Sequence, residues 1–161
     1  MKKETVKHEI ELVYDERSRV LILGTMPSPK SRETGFYYGN PQNRFWKALA
    51  GVYGTAEPVG KEERKAFALE HGIALWDVLA ECEIKGASDA SISAEKPNDI
   101  PWLLEKTGIK RVYTTGRAAY NYYLRFFKEK TGIEPVYLPS PSGANAGCTL
   151  SDLVREYKVI R

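Results

Sequence analysis

The sequence predicts an α/β fold: three-layer α/β/α with a central, mostly parallel four-stranded sheet. Three observations point there. Four short runs rich in apolar residues read as strands, helix-like stretches separate them, and the order strand, helix, strand, helix holds along the chain. Such alternation gives parallel strands joined by right-handed crossovers, with helices on both faces. At 161 residues, 42% hydrophobic and 28% charged, the chain has the length and mixture for one core, so a single domain over 1–161 is expected.

The elements follow in order. "RVLILGT", residues 19–25, is a strand buried on both faces and ended by Gly24. "NPQNRFWKALAGVYG" carries Phe45, Trp46, Leu49 and Val52 at helical spacing, with Asn40 as N-cap and Pro41 at the first helical position, so the helix is expected from Pro41. "EERKAFALEHG" is a helix ended by Gly72, and "IALWDVL", residues 73–79, is the second strand. "KGASDASISAEKPND" has no periodicity and is expected to be a polar loop. "IPWLLEKTG" is a short helix stopped by Gly108, and "KRVYTTG" is the third strand. "RAAYNYYLRFFKEKTG" is an amphipathic helix ended by Gly132, whose aromatic stripe belongs to the core. "EPVYLPS" is the fourth strand, and "TLSDLVREYKVI" a final helix capped by Thr149.

Composition excludes several functions. Cys82 and Cys148 lack metal or redox spacing, and only His8 and His71 could add imidazole, so no metal site is expected. The chain holds no apolar run long enough for a membrane span, and its first residues are too polar for a signal peptide, so a cytoplasmic protein is expected. A net charge of +3 tolerates a polyanionic partner without demanding one. Neither a P-loop, a G-x-G-x-x-G fingerprint nor a G-x-S-x-G elbow occurs. What stands out is three unusual loops beyond the carboxyl ends of the predicted strands, where open α/β sheets bind ligands: "GTMPSPKSRETGFYYGNPQNRFW", the segment from Trp76 onward, and "PSPSGANAG". Long Gly/Pro-rich loops in a compact chain are usually kept for binding.

"LILGTMPSPKSRETGFYYGNPQNRFWKAL", "GIALWDVLAECEIKGASDASI" and "LPSPSGANAG" together resemble the uracil-DNA glycosylase superfamily, and within it the hypoxanthine (deoxyinosine)-DNA glycosylase branch. The resemblance spans nearly the whole chain, with "GNPQNRFW" its most specific block. It implies a monofunctional glycosylase without metal or cofactor. Such an enzyme flips a deaminated base out of DNA and hydrolyses its N-glycosidic bond. Hypoxanthine is the first expected substrate, with uracil or xanthine next. The partner implied is DNA containing a deaminated base, met by a monomer, with no membrane involved. Base removal passes through an oxocarbenium-like sugar, so the protein must place a water beneath the anomeric carbon and hydrogen-bond the departing base. Efficient uracil enzymes of the superfamily carry a carboxylate after the strand-end Gly, and mismatch enzymes an asparagine. Here Gly24-Thr25-Met26-Pro27 has neither.

The resemblance instead maps the catalytic residue onto Asn43, which falls at the third helical position if Asn40 caps. An amide is no strong base, so its role is to position water. Tyr38, among the aromatics Phe36, Tyr37 and Tyr38, is the expected stacking platform, its alternative being a packed Tyr with a bonded hydroxyl. Gly24, Thr25, Met26, Pro27 and Phe36 complete the base-binding set, together with Trp76, Asp77 and Asp89. Asp77 accepts from a base N–H or caps a turn; Asp89 and Ser91 line the pocket or shape an Asx turn. For DNA contacts the candidates are Ser28, Lys30, Arg32, Ser140, Ser142, Gly143, Ala144 and Asn145, with Arg44 also near enough to screen phosphates. The 140s loop corresponds to the superfamily's duplex wedge, but Ala144 and Asn145 are small or polar for that task. Two other function classes fit the same fold: a lesion-binding module that does not cleave, and a nucleotide or nucleoside binder.

Overall fold

The computed structural model describes residues 2–161. Its strands are β1 (Glu4–Lys7), β2 (Val20–Gly24), β3 (Ile73–Asp77), β4 (Leu79–Lys85), β5 (Ser88–Pro97), β6 (Arg111–Thr115) and β7 (Pro135–Leu138). Its helices are α1 (Pro29–Thr34), α2 (Phe45–Tyr53), α3 (Lys61–Glu70), α4 (Ile100–Lys106), α5 (Arg117–Phe126), α6 (Lys128–Thr131) and α7 (Leu150–Tyr157), with a 3-10 turn at Lys158–Ile160. The chain has an α/β fold with a central sheet in the order β3-β2-β6-β7 and flanking helices. All its pairings are parallel, with Gly24 opposite Asp77 and Thr115 opposite Leu138. The four expected strands are therefore present.

β2 is buried along its whole length, and its alternating side chains feed two cores. Val20 and Ile22, with Ile73 and Leu75, pack against Phe45, Trp46 and Leu49 of α2, Phe67 of α3, and Leu153 and Tyr157 of α7. Leu21 and Leu23, with Ala74 and Val112, pack against Ile100 and Leu103 of α4 and Ala119 and Tyr123 of α5. The strand ends are thus fixed from both faces, and the loops beyond Gly24, Asp77, Thr115 and Leu138 leave from one edge.

Four features correct the sequence reading. Residues 85–99 are not a polar loop: β5 occupies most of them and pairs antiparallel with β4, which pairs antiparallel with β1. Val6, Cys82 and Ile84 of this three-stranded sheet join the second core. The periodicity of β5 is silent because the strand is exposed or half-buried throughout. The helix expected from Pro41 begins at Phe45, because the Asn40 carboxamide accepts from Gln42 N–H at 2.8 Å and closes a local turn instead of capping a helix. Asn43 is therefore not the third helical residue. Its own carboxamide oxygen accepts from Phe45 N–H at 2.9 Å, ahead of the first turn. Helix α1 was not anticipated, although Ser28 caps it, Pro29 opens it and Gly35 closes it at φ 78. The helix expected through Gly132 is broken at Phe127 into α5 and α6.

Candidate functional site

A cleft of about 560 Å³ opens at the carboxyl edge of the parallel sheet, within the usual range for ligand sites. Its floor is Gly24. A Cβ there would lie 2.5 Å from Asp77 Oδ1, 3.3 Å from the Tyr38 hydroxyl and 3.6 Å from Thr115 Oγ1, so only glycine lets these three polar groups converge over the strand end. Of the residues expected to bind a base, Gly24, Thr25, Met26, Pro27, Tyr38, Asp77 and Asp89 line this cleft, and so does Asn43. Ser28, Ser140, Ser142, Gly143, Ala144 and Asn145 line it too.

Tyr38 is held in an unusual way. Its φ of 54° is left-handed, a conformation that non-glycine residues adopt only when their surroundings enforce it. One face of its ring stacks on Phe45 at 3.8 Å between centroids and 16° between planes. The hydroxyl pairs with Thr115 Oγ1 at 2.9 Å. Burial, and then the nearby Asp77 charge, push the phenol pKa values of Tyr37 and Tyr38 far above their ordinary range. Both stay neutral. Trp46 Nε1 donates to the Tyr37 carbonyl at 3.0 Å and so ties the aromatic loop to α2.

Asp77 is 5% exposed, and its Oδ2 lies 2.8 Å from His8 Nε2. Asp89 comes from the β4–β5 hairpin. Desolvation first, and the Asp77 charge second, raise its carboxyl pKa above the usual carboxylate value. The hairpin missing from the sequence reading thus supplies one wall of the cleft. Ser91 lies outside the lining: its hydroxyl accepts from Lys85 N–H at 2.8 Å and donates to the Ser88 carbonyl at 2.7 Å, closing the hairpin turn.

The 140s loop stands against the turn that carries Asn43. Gly143 approaches Gln42 so closely that a Cβ would lie 3.0 Å from its carbonyl oxygen. Arg44 N–H donates to the Pro141 carbonyl at 2.9 Å, and the guanidinium donates to the carbonyls of Ser142 at 3.0 Å, Asn145 at 3.1 Å and Cys148. Arg44 therefore braces the loop. Within the loop, Ser140 Oγ accepts from Ser142 N–H and Ser142 Oγ from Ala144 N–H, while the Asn145 amide donates to the Ser140 carbonyl. The serine hydroxyls keep their protons for an outside acceptor.

Other expected residues sit elsewhere. Phe36 is in the core, stacked on Trp46 and edge-on to Tyr37. Trp76 packs between the two cores. Lys30 and Arg32 pair with Glu33 and Glu4 at the surface, outside the cleft lining, whereas Ser28 stays in the lining while its hydroxyl caps α1. Sequence reasoning missed Thr115, Gly116, Arg117 and Tyr137, which complete the rim; the Arg117 guanidinium lies 4.3 Å from the Tyr137 ring centroid. The strand-end rule applied to "YTTG" would have found Thr115 and Gly116. Among the described residues no cluster of three or more His, Cys, Asp or Glu could hold a metal ion, and no helix is long and apolar enough to cross a membrane.

Fold and site together define an α/β protein whose cleft lies beyond the ends of its parallel strands, between a glycine floor and two converging loops. The chain belongs to the uracil DNA glycosylase superfamily, which matches over residues 12–157. It is 35% identical over 142 residues to the hypoxanthine DNA glycosylase of Methanosarcina acetivorans, covering 87% of this chain and 89% of that protein. To the hypoxanthine DNA glycosylase of Methanosarcina barkeri it is 31% identical over 135 residues, covering 83% and 84%. The fold matches a solution NMR structure from Methanosarcina acetivorans, described there as a candidate uracil DNA glycosylase, with a TM-score of 0.81 and 30% identity over 98% of this chain and 99% of that one. The relatives' family supports glycosylase-type hydrolysis on DNA.

Proposed function

We propose that this protein is a DNA-repair glycosylase that draws a deaminated base out of DNA and hydrolyses its N-glycosidic bond. Hypoxanthine is the first substrate, with uracil and xanthine next, and the product is an abasic site. The observation that carries the reading is the convergence of Tyr38, Asn43, Asp77 and the 140s loop on one cleft, in a chain of this superfamily.

Extrusion costs a few kcal/mol of stacking and pairing, least for a mispaired base. Tyr38 offsets part of it: one ring face is occupied by Phe45, and the extruded base stacks on the other, which contributes about 1–3 kcal/mol. The Asn43 oxygen has two lone pairs. Phe45 N–H takes one, which fixes the carboxamide, and the second accepts a hydrogen from a water held against the sugar. As the C1′–N bond breaks, its electron pair leaves with the base. The water oxygen then bonds C1′ of the oxocarbenium-like sugar, and the water's spare proton passes to solvent. Asn43 orients and does not deprotonate. The Ser140 and Ser142 hydroxyls, with the loop N–H groups, hold phosphates on either side of the extruded nucleotide. The protein acts as a monomer without cofactor.

The test is a lesion panel. Purified protein is mixed with duplexes carrying a single inosine, uracil or xanthosine, then treated with alkali. Scission at the inosine and none in the undamaged duplex is expected. DNA binding with no scission at any lesion contradicts the reading and favours a lesion-binding module.

A further inference from the structure

His8 follows the short strand β1, and its backbone N–H is anchored on the Ala80 carbonyl at 2.7 Å. Its imidazole is 4% exposed and reaches the carboxylate of Asp77, itself 7% exposed, at 2.8 Å. Tyr37 closes over the pair with its ring centroid 5.9 Å from that of His8, and its hydroxyl donates to the Glu11 carbonyl. A carboxylate only accepts, so the hydrogen between them sits on His8 Nε2. Oδ2 of Asp77 is therefore committed, and Oδ1 is the atom that meets the space above Gly24.

Beside it the Tyr38 and Thr115 hydroxyls share one hydrogen bond at 2.9 Å, which either can donate. At the floor of the cleft Asp77 Oδ1 accepts. Deamination makes a matching change in a base: the ring nitrogen N1 of adenine and N3 of cytosine are acceptors, whereas hypoxanthine and uracil carry N–H there. An acceptor floor pairs with the deaminated base and meets its parent acceptor to acceptor.

We propose that His8 is a positioning residue for base discrimination. By donating to Oδ2 it fixes the orientation of the Asp77 carboxylate, with Oδ1 as the acceptor for the ring N–H of the deaminated base. The proposal rests on the glycosylase reading above. Without that donor the carboxylate is free to rotate and turn Oδ1 away from the space above Gly24. Discrimination weakens once Oδ1 is no longer held there.

The test is a double-mutant cycle on single-turnover excision of hypoxanthine, with an undamaged adenine duplex as control. His8→Met keeps the bulk and removes the donor; His8→Gln restores a donor. His8→Met is expected to lower kcat/KM by about 10- to 100-fold, the worth of a hydrogen bond to a charged group, while affinity for undamaged DNA stays the same. His8→Gln recovers most of the loss. In an Asp77→Asn background His8→Met costs less than about twofold more, because the residue it acts through is already changed. Circular dichroism verifies folding, and if His8→Met does not fold, His8→Ala takes its place in the cycle. Losses that multiply fully in the double variant, or no recovery with His8→Gln, overturn the proposal while the glycosylase reading stands. A wild-type protein inert on every lesion overturns both.

Discussion

Gly24→Ala places one methyl group at the centre of the cleft floor. Gly24 lies in a fully buried strand and outside the left-handed region, so an alanine backbone fits there and space is the only obstacle. The added Cβ would stand 2.5 Å from Asp77 Oδ1. To reach ordinary contact the carboxylate must retreat by roughly 1 Å. It cannot do so freely, because His8 holds the other oxygen at 2.8 Å and Asp77 pairs with Gly24 across the parallel ladder. Overpacking of this kind costs about 1–3 kcal/mol, which in a chain of this size lowers Tm by about 2–12 °C. The fold survives. A reading group displaced by about 1 Å costs on the order of 100-fold in rate, so single-turnover excision of hypoxanthine should fall by about that factor. Binding of undamaged duplex, followed by fluorescence anisotropy, should stay within about twofold, since those contacts come from the loops. Wild-type excision together with an unchanged Tm would refute the idea that Asp77, Tyr38 and Thr115 converge on a base.

Two further predictions follow from the braces around the cleft. Arg44→Lys replaces a planar fork that reaches three loop carbonyls by a single ammonium, and it should weaken lesion-duplex affinity and excision about tenfold and speed proteolysis within 140–148; unchanged protease sensitivity would remove the brace role. Alkaline stability should track the buried phenols: Tyr37, Tyr38 and Tyr157 keep their protons in the native protein above the ordinary value of 10.0, whereas the unfolded chain releases them, so stability is intact below that pH and declines as pH rises past it. Their absorbance change at 295 nm should coincide with loss of the circular dichroism signal, and titration of all the tyrosines before unfolding would contradict the burial.

The parallel sheet was legible because each of its strands is an apolar run that ends where the chain must turn. Val20 to Leu23 needs no partner to be recognised. The antiparallel sheet was not, because β5 reads "SDASISAEKP" and buries neither face fully; its pairing with β4 supplies what its composition lacks. Asn40 and Pro41 carried a valid helix-start signal that lost to a turn, since the Asn40 oxygen took the nearer Gln42 N–H. The same signal at Ser28 and Pro29 was sound and went unused within a segment that looked like loop. Within the site, residues tied to strand ends or to the resemblance were found. His8 is not legible as a site residue, because nothing in the chain announces a contact with Asp77 across a separation of 69 residues. Arg44 looked like a phosphate ligand, yet its guanidinium is engaged by loop carbonyls, a role that only the folded loop reveals.

Excision by this cleft requires the Asn43 turn to orient water against an extruded nucleotide. Single-turnover release of hypoxanthine by Asn43→Ala, run beside lesion-duplex affinity, tests this most directly. The excision rate should drop about 100-fold or more with affinity within about threefold of wild type, because the change deletes a contact made in the transition state. Excision at the wild-type rate would place the chemistry elsewhere and contradict the account.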